Sequence, residues 1–166
     1  QIQGFFDMPV DNLYTAPLFS KYIKKKLNGK KLICVSPDVG GVARTRSLAT
    51  RIKADLAIID KRRPAPGKSE VMNIIGNVKN KTCIIVDDII DSGGTIVNAV
   101  DALKKNGANE VYVFITHAVL SGDAVKKIKN SKIKKLIITD TIDNAQKIKN
   151  NNKIEVLSIA SLMSEA

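Results

Sequence analysis

Residues 83 to 95, "CIIVDDIIDSGGT", set an apolar run against three aspartates, two glycines and a threonine. Carboxylates beside a buried run are costly unless cations, hydroxyls or a metal meet them. Asp87 and Asp88 stand where a strand-like run ends, and paired carboxylates there suit sugar hydroxyls or a hard cation. Asp91, Ser92, Gly93, Gly94 and Thr95 follow at the entry to a helix-like stretch. Glycines at such a point let backbone N–H groups and the positive end of a helix converge on one anion. Ser92 and Thr95 add hydroxyl donors, which completes a phosphate cradle. The spacing matches neither Gly-Lys-Ser/Thr nor Gly-x-Gly-x-x-Gly phosphate loops. A structural alternative is an acidic turn capped by Asp91 or Ser92, although one cap needs neither three aspartates nor two glycines.

Three more polar clusters follow apolar runs: "SPDVGG" (36–41), "DKRR" (60–63) and "THAVLSG" (116–122). The first reads equally as a serine-proline turn or as a second close-approach loop built on Asp38, Gly40 and Gly41. "KRR" reads as a solvated basic loop or as a cationic device at the root of the Pro- and Gly-bearing stretch 61–72, an expected long exposed loop. His117, the single histidine, reads first as a structural residue and second as a base. Arg44 and Arg46 fall on a helix-like stretch and receive no site role.

Short apolar runs at 31–35, 56–60, 82–86, 110–116, 135–139 and 154–158 predict strands buried on both faces. Helices are expected from Pro17 to Asn28-Gly29 and over about 42–53, 95–106 and 122–129. Alternating strand and helix predicts an α/β fold with a mostly parallel sheet, whose ligands bind beyond the carboxyl ends of the strands. The four polar clusters sit at such ends. Residues 1–166 are expected to form a single domain.

Lys and Arg number 27 against 16 Asp and Glu, a net charge of +11. The excess is lysine, with only 4% aromatic residues to stack on bases. It therefore reads as solvated helix faces and a general attraction for anions, with nucleic acid disfavoured. No run of about 18 apolar residues is present, so no membrane partner is expected. Cys34 and Cys83 lie in apolar runs and read as reduced core thiols of a cytoplasmic protein. The opening "QIQGFFDMPV" does not begin with methionine and carries apolar residues, as a piece of a longer protein would.

The segment 83–95 resembles the phosphoribosyl-pyrophosphate motif of type I phosphoribosyltransferases. Together with "QGFFDMPVDNLYTAP", "SPDVGGVARTR", "AIIDKRRPAPGKSEVMNIIGNV" and "THAVLSG", it resembles the C-terminal half of the two-domain ribose-phosphate pyrophosphokinase family. That resemblance implies Mg2+-dependent transfer of the diphosphoryl group of ATP to ribose 5-phosphate, giving phosphoribosyl pyrophosphate and AMP, in a homo-oligomeric parent. It implies that Asp91, Ser92, Gly93, Gly94 and Thr95 grip the 5-phosphate and that Asp87 and Asp88 hold ribose hydroxyls. Asp38 becomes a magnesium ligand, with Gly40 and Gly41 in a diphosphate loop. Lys61 becomes the catalytic cation and Arg63 a catalytic and ribose-phosphate partner. The isolated chain is expected to bind substrate with or without turnover. Two alternatives share these motifs: a phosphoribosyltransferase, and a non-catalytic regulatory relative of the synthetase. Retention of Lys61, Arg63, Asp87, Asp88 and Thr95 weighs against the second.

Overall fold

Strand and helix alternate along the chain as the apolar runs require. The computed structural model describes residues 2–62 and 71–166. A 3-10 turn at Ile2–Phe5 leads to α1 (Ala16–Lys26), β1 (Leu32–Ser36), α2 (Val42–Ile52), β2 (Asp55–Arg62) and β3 (Val71–Ile75). Then follow β4 (Thr82–Ile90), α3 (Gly94–Lys105), β5 (Glu110–Ala118), α4 (Ala124–Asn130) and β6 (Lys135–Thr139). Short α5 (Ala145–Ile148), β7 (Ile154–Leu157) and α6 (Ala160–Ser164) close the chain. The strands form one sheet in the order β3-β2-β1-β4-β5-β6-β7. All neighbours are parallel except β2 and β3, which are antiparallel.

Alternate residues of each central strand enter two different cores. Ile33 and Val35, Cys83 and Ile85, and Val111 and Val113 face α3, where Ile96, Val100 and Leu103 cover them. The intervening Cys34, Ile84 and Phe114 face α1 and α2, packing on Phe19, Ile23 and Leu48. Phe114 meets the rings of Phe19 and Tyr22 at 5.3 and 5.7 Å. Burial on both faces explains why these strands read as unbroken apolar runs. It also separates the two cysteines. Cys83 lies opposite Ile33 in the ladder, so it and Cys34 project to opposite faces and their thiols do not meet. Both are free, and burial pushes each thiol up to about 12.

Two expectations are corrected. The stretch 61–72 is not loop throughout, because Lys61 and Arg62 end β2 and pair with Met72 and Val71 of β3. The prolines and glycine at 64–67 masked a short edge strand whose Met72 and Ile74 pack on the core while Ile75 stays 59% exposed. The strand expected at 82–86 also continues through the acid pair to Ile90, held by pairing of Asp87 with Ile115 and Ile90 with Ala118. Among the described residues, no helix is long and apolar enough to cross a membrane.

Candidate functional site

Sheet order reverses at β1, with β2 on one side and β4 on the other, the point where an open parallel sheet leaves a crevice for ligand. The register deepens that crevice. Ser36, the last residue of β1, lies opposite Ile58, while β2 runs on to Arg62. Val35 lies opposite Ile85, while β4 runs on to Ile90. Each flanking strand thus overshoots β1 by four residues, roughly 13 Å of extended chain. Two glycine-bearing loops enter the notch, one from β1 to α2 and one from β4 to α3.

The β4–α3 loop turns sharply at Gly93, the residue preceding α3, whose φ of +74° is costly for any side chain bearing a Cβ. Neither Asp91 nor Ser92 caps the helix, so the capping alternative does not hold. A cavity of about 230 Å³ opens here, lined by Asp87, Asp91, Ser92, Gly93, Gly94 and Thr95 with the neighbouring isoleucines. Lys127 of α4 donates from Nζ to the Ser92 carbonyl at 3.3 Å and brings a cation to the loop.

The acid pair is divided between two cavities. Asp87 lines the cavity of the β4–α3 loop, whereas Asp88 lines a second one of about 560 Å³ with Tyr14, Arg51 and His117. Arg44 of α2 spans the pair, with Nη1 2.5 Å from Asp87 Oδ1 and Nη2 2.6 Å from Asp88 Oδ2. Backbone N–H groups complete the arrangement, Asp88 donating to Asp87 Oδ1 at 3.0 Å and Ile89 to Asp88 Oδ1 at 2.9 Å. Burial pushes the Asp87 carboxyl above its ordinary range, and the Asp88 charge adds to this. The Asp88 N–H and the Arg44 guanidinium pull it back down. Sequence reading left Arg44 without a role, since nothing local links it to acids 43 and 44 positions away.

The β1–α2 loop is closed by its own side chains. Asp38 Oδ1 accepts the Gly41 N–H at 2.8 Å, and Ser36 Oγ donates to the Asp38 carbonyl at 2.6 Å. A Cβ on Gly41 would stand 2.9 Å from Ser36 Oγ, so any larger residue would have to displace the Ser36 hydroxyl from its bond to the Asp38 carbonyl. Asp38 is exposed, and Oδ2 has no hydrogen bond among the described residues. No group of three or more His, Cys, Asp or Glu among those residues could hold a metal ion. Mg2+ does not need such a cage, because it keeps water and takes one or two carboxylates beside substrate phosphates. An exposed carboxylate with one oxygen unbonded among the described residues fits that donor set.

Lys61 is half-buried near the end of β2, on the same strand face as Ala57 and Ile59 by alternation, and flanks the notch from the side opposite Asp87. Lys61, Asp38, Gly40 and Gly41 line neither of the two cavities. Arg63 lies outside the described residues. His117 is exposed, lines the cavity of Asp88, and is hydrogen-bonded through Nδ1 to Thr141 Oγ1 at 3.0 Å.

A mostly parallel sheet with an antiparallel edge, reversing at β1 and carrying a glycine-rich loop after β4, defines the type I phosphoribosyltransferase class of fold. A purine phosphoribosyltransferase of Pyrococcus horikoshii shares that fold at a TM-score of 0.54 and 22% identity, over 65% of this chain and 73% of that one. The family is narrower: the chain belongs to the phosphoribosyl synthetase-associated domain family, which matches residues 62–166. A protein named ribose-phosphate pyrophosphokinase from Bradyrhizobium diazoefficiens is 59% identical over 166 residues, 100% of this chain and 52% of that protein. One of the same name from Oceanobacillus iheyensis is 55% identical with the same coverage. The crystal structure of phosphoribosylpyrophosphate synthetase from Mycobacterium smegmatis matches with a TM-score of 0.89 and 38% identity, over 99% of this chain and 53% of that one. The chain spans about half the length of the curated relatives it matches.

Proposed function

We propose that this chain is the ribose 5-phosphate-binding half of a cytoplasmic, homo-oligomeric ribose-phosphate pyrophosphokinase, residues 1–166 forming one domain. The parent transfers the diphosphoryl group of ATP to the anomeric hydroxyl of ribose 5-phosphate, releasing AMP and phosphoribosyl pyrophosphate. The observation that carries this reading is the uncapped α3 N-terminus behind Gly93, with Asp87 in the same cavity. A phosphate on the backbone of residues 92–95, with hydroxyl donors from Ser92 and Thr95, leaves its sugar beside the Asp87 carboxylate. Names and coverage of the relatives support the same assignment.

In this reading the anomeric oxygen attacks the β-phosphorus of ATP, the bond from β-phosphorus to the α-phosphate oxygen breaks, and AMP leaves. The hydroxyl proton passes to solvent. Asp87, with Asp88 behind it, orients the pentose hydroxyls. Asp38 Oδ2 would hold Mg2+, which when bound neutralises charge on the diphosphoryl oxygens. Gly40 and Gly41 keep the β1–α2 backbone low enough for the diphosphate to approach. Lys61, with Arg63 beyond it, meets the charge that develops on the non-bridging oxygens, the main demand of phosphoryl-type transfer.

The test is AMP formation by the full-length parent from ATP and ribose 5-phosphate. Consumption of phosphoribosyl pyrophosphate with a purine or pyrimidine base, without AMP formation, would assign the parent to the phosphoribosyltransferases instead.

A further inference from the structure

Arg44 is not where helix stability would put it. It is the third residue of α2, whose first turn holds no acid, and a cation there opposes the positive end of the helix. An exposed ion pair would return little, but this one is forked onto two carboxylates, and the Asp87 side chain is only 20% exposed. Adjacent strand residues point to opposite faces, and Asp87 and Asp88 do line different cavities. The planar, two-pronged guanidinium holds both at once, one nitrogen to each.

The hydrogen bonds leave an asymmetry. Asp87 Oδ1 takes Arg44 and the Asp88 N–H, while the two oxygens of Asp88 take Ile89 N–H and Arg44. Among the described residues, Asp87 Oδ2 has no hydrogen bond, and Asp87 belongs to the cavity closed by residues 92–95. We infer that Arg44 is a positioning residue, which fixes Asp87 so that Oδ2 alone is offered to the pentose. This rests on the ribose 5-phosphate reading above, and it divides the acid pair into a substrate acceptor, Asp87, and a counter-anchor, Asp88.

The 166-residue chain and its Arg44→Met and Arg44→Lys variants can be titrated with ribose 5-phosphate and, separately, with inorganic phosphate. Arg44→Met is expected to weaken ribose 5-phosphate binding about 10- to 100-fold, the scale of losing a hydrogen-bonded charged group. Inorganic phosphate should bind as before, since the backbone of residues 92–95 does not touch Arg44, and its retention reports an intact fold. Arg44→Lys should recover part of the loss, because it restores the charge without the fork. Adding Asp87→Asn to Arg44→Met should cost little more, as expected when two residues act as one unit. An Arg44→Met variant that keeps wild-type ribose 5-phosphate affinity, or loses both ligands by the same factor, overturns the inference alone. A wild-type chain that does not prefer ribose 5-phosphate to inorganic phosphate overturns the functional reading and this inference with it.

Discussion

The two glycine-glycine loops of the notch have nearly the same composition and opposite states. In the β1–α2 loop, Gly41 precedes the helix in a right-handed conformation and its N–H is taken by Asp38. In the β4–α3 loop, Gly93 is left-handed, no side chain caps the helix, and Gly94 has open space around a would-be Cβ. One loop has satisfied itself and offers a carboxylate outward. Its counterpart leaves the start of its helix without a side-chain cap. A Gly-Gly pair ahead of a helix therefore does not specify an anion site; what decides is whether a neighbouring carboxylate already occupies the donors.

The largest expected effect lies on the third strand end, where the proposed reaction makes Lys61 the cation. Lys61→Ala in the full-length parent should lower turnover by at least about 100-fold, the scale of removing a transition-state charge partner. Ribose 5-phosphate affinity should change little, and steady-state AMP formation with a substrate titration separates the two.

Gly94→Val should cut phosphate affinity of the chain by about tenfold or more, by blocking close approach to the backbone. Gly94 has no positive φ and meets only Ser92 Oγ, at 4.0 Å, so thermal unfolding should barely move. Phosphate titration by calorimetry beside a melting curve reads both.

A smaller, opposite response is expected in the closed loop. Asp38→Ala removes the bond to Gly41 and should cost about 1 kcal/mol of stability in denaturant unfolding, while phosphate affinity at residues 92–95 is unchanged.

The smallest effect is expected far from both loops. At the opposite end of the strands, where β5 begins, Lys30 and Lys134 hold the Glu110 carboxyl below its ordinary range, Lys30 being the stronger influence. These groups are partly solvated, so Glu110→Gln should cost under about 1 kcal/mol at neutral pH. A depressed carboxyl pKa stabilises the fold above its unfolded value and loses that contribution as pH falls through the folded value. The difference between wild type and Glu110→Gln in urea unfolding should therefore close on acidification below about pH 4. Neither ligand affinity should respond.

The strands with two buried faces were legible because burial on both sides leaves an unbroken apolar run, and the tight turn into α3 because paired glycines after a strand mark a sharp helix entry. The edge strand β3 was not, since "VMNII" follows prolines and has one solvated face. The acid pair read as the end of a strand and not its interior, because the continuation to Ile90 comes from pairing with β5, not from composition. Arg44 and Lys127 were invisible for a related reason. Their partners lie 43 and 35 positions away in the chain, and only the packing of α2 and α4 on opposite faces of the sheet brings them to the notch.

The difference between the loops can be read in one experiment, backbone amide shifts of the 166-residue chain titrated with ribose 5-phosphate. Selective perturbation of Ser92, Gly93, Gly94 and Thr95, with Gly40 and Gly41 nearly still in the absence of nucleotide, is the predicted result. Shifts centred on Gly40 and Gly41, or saturation that leaves residues 92–95 unmoved, would contradict the account.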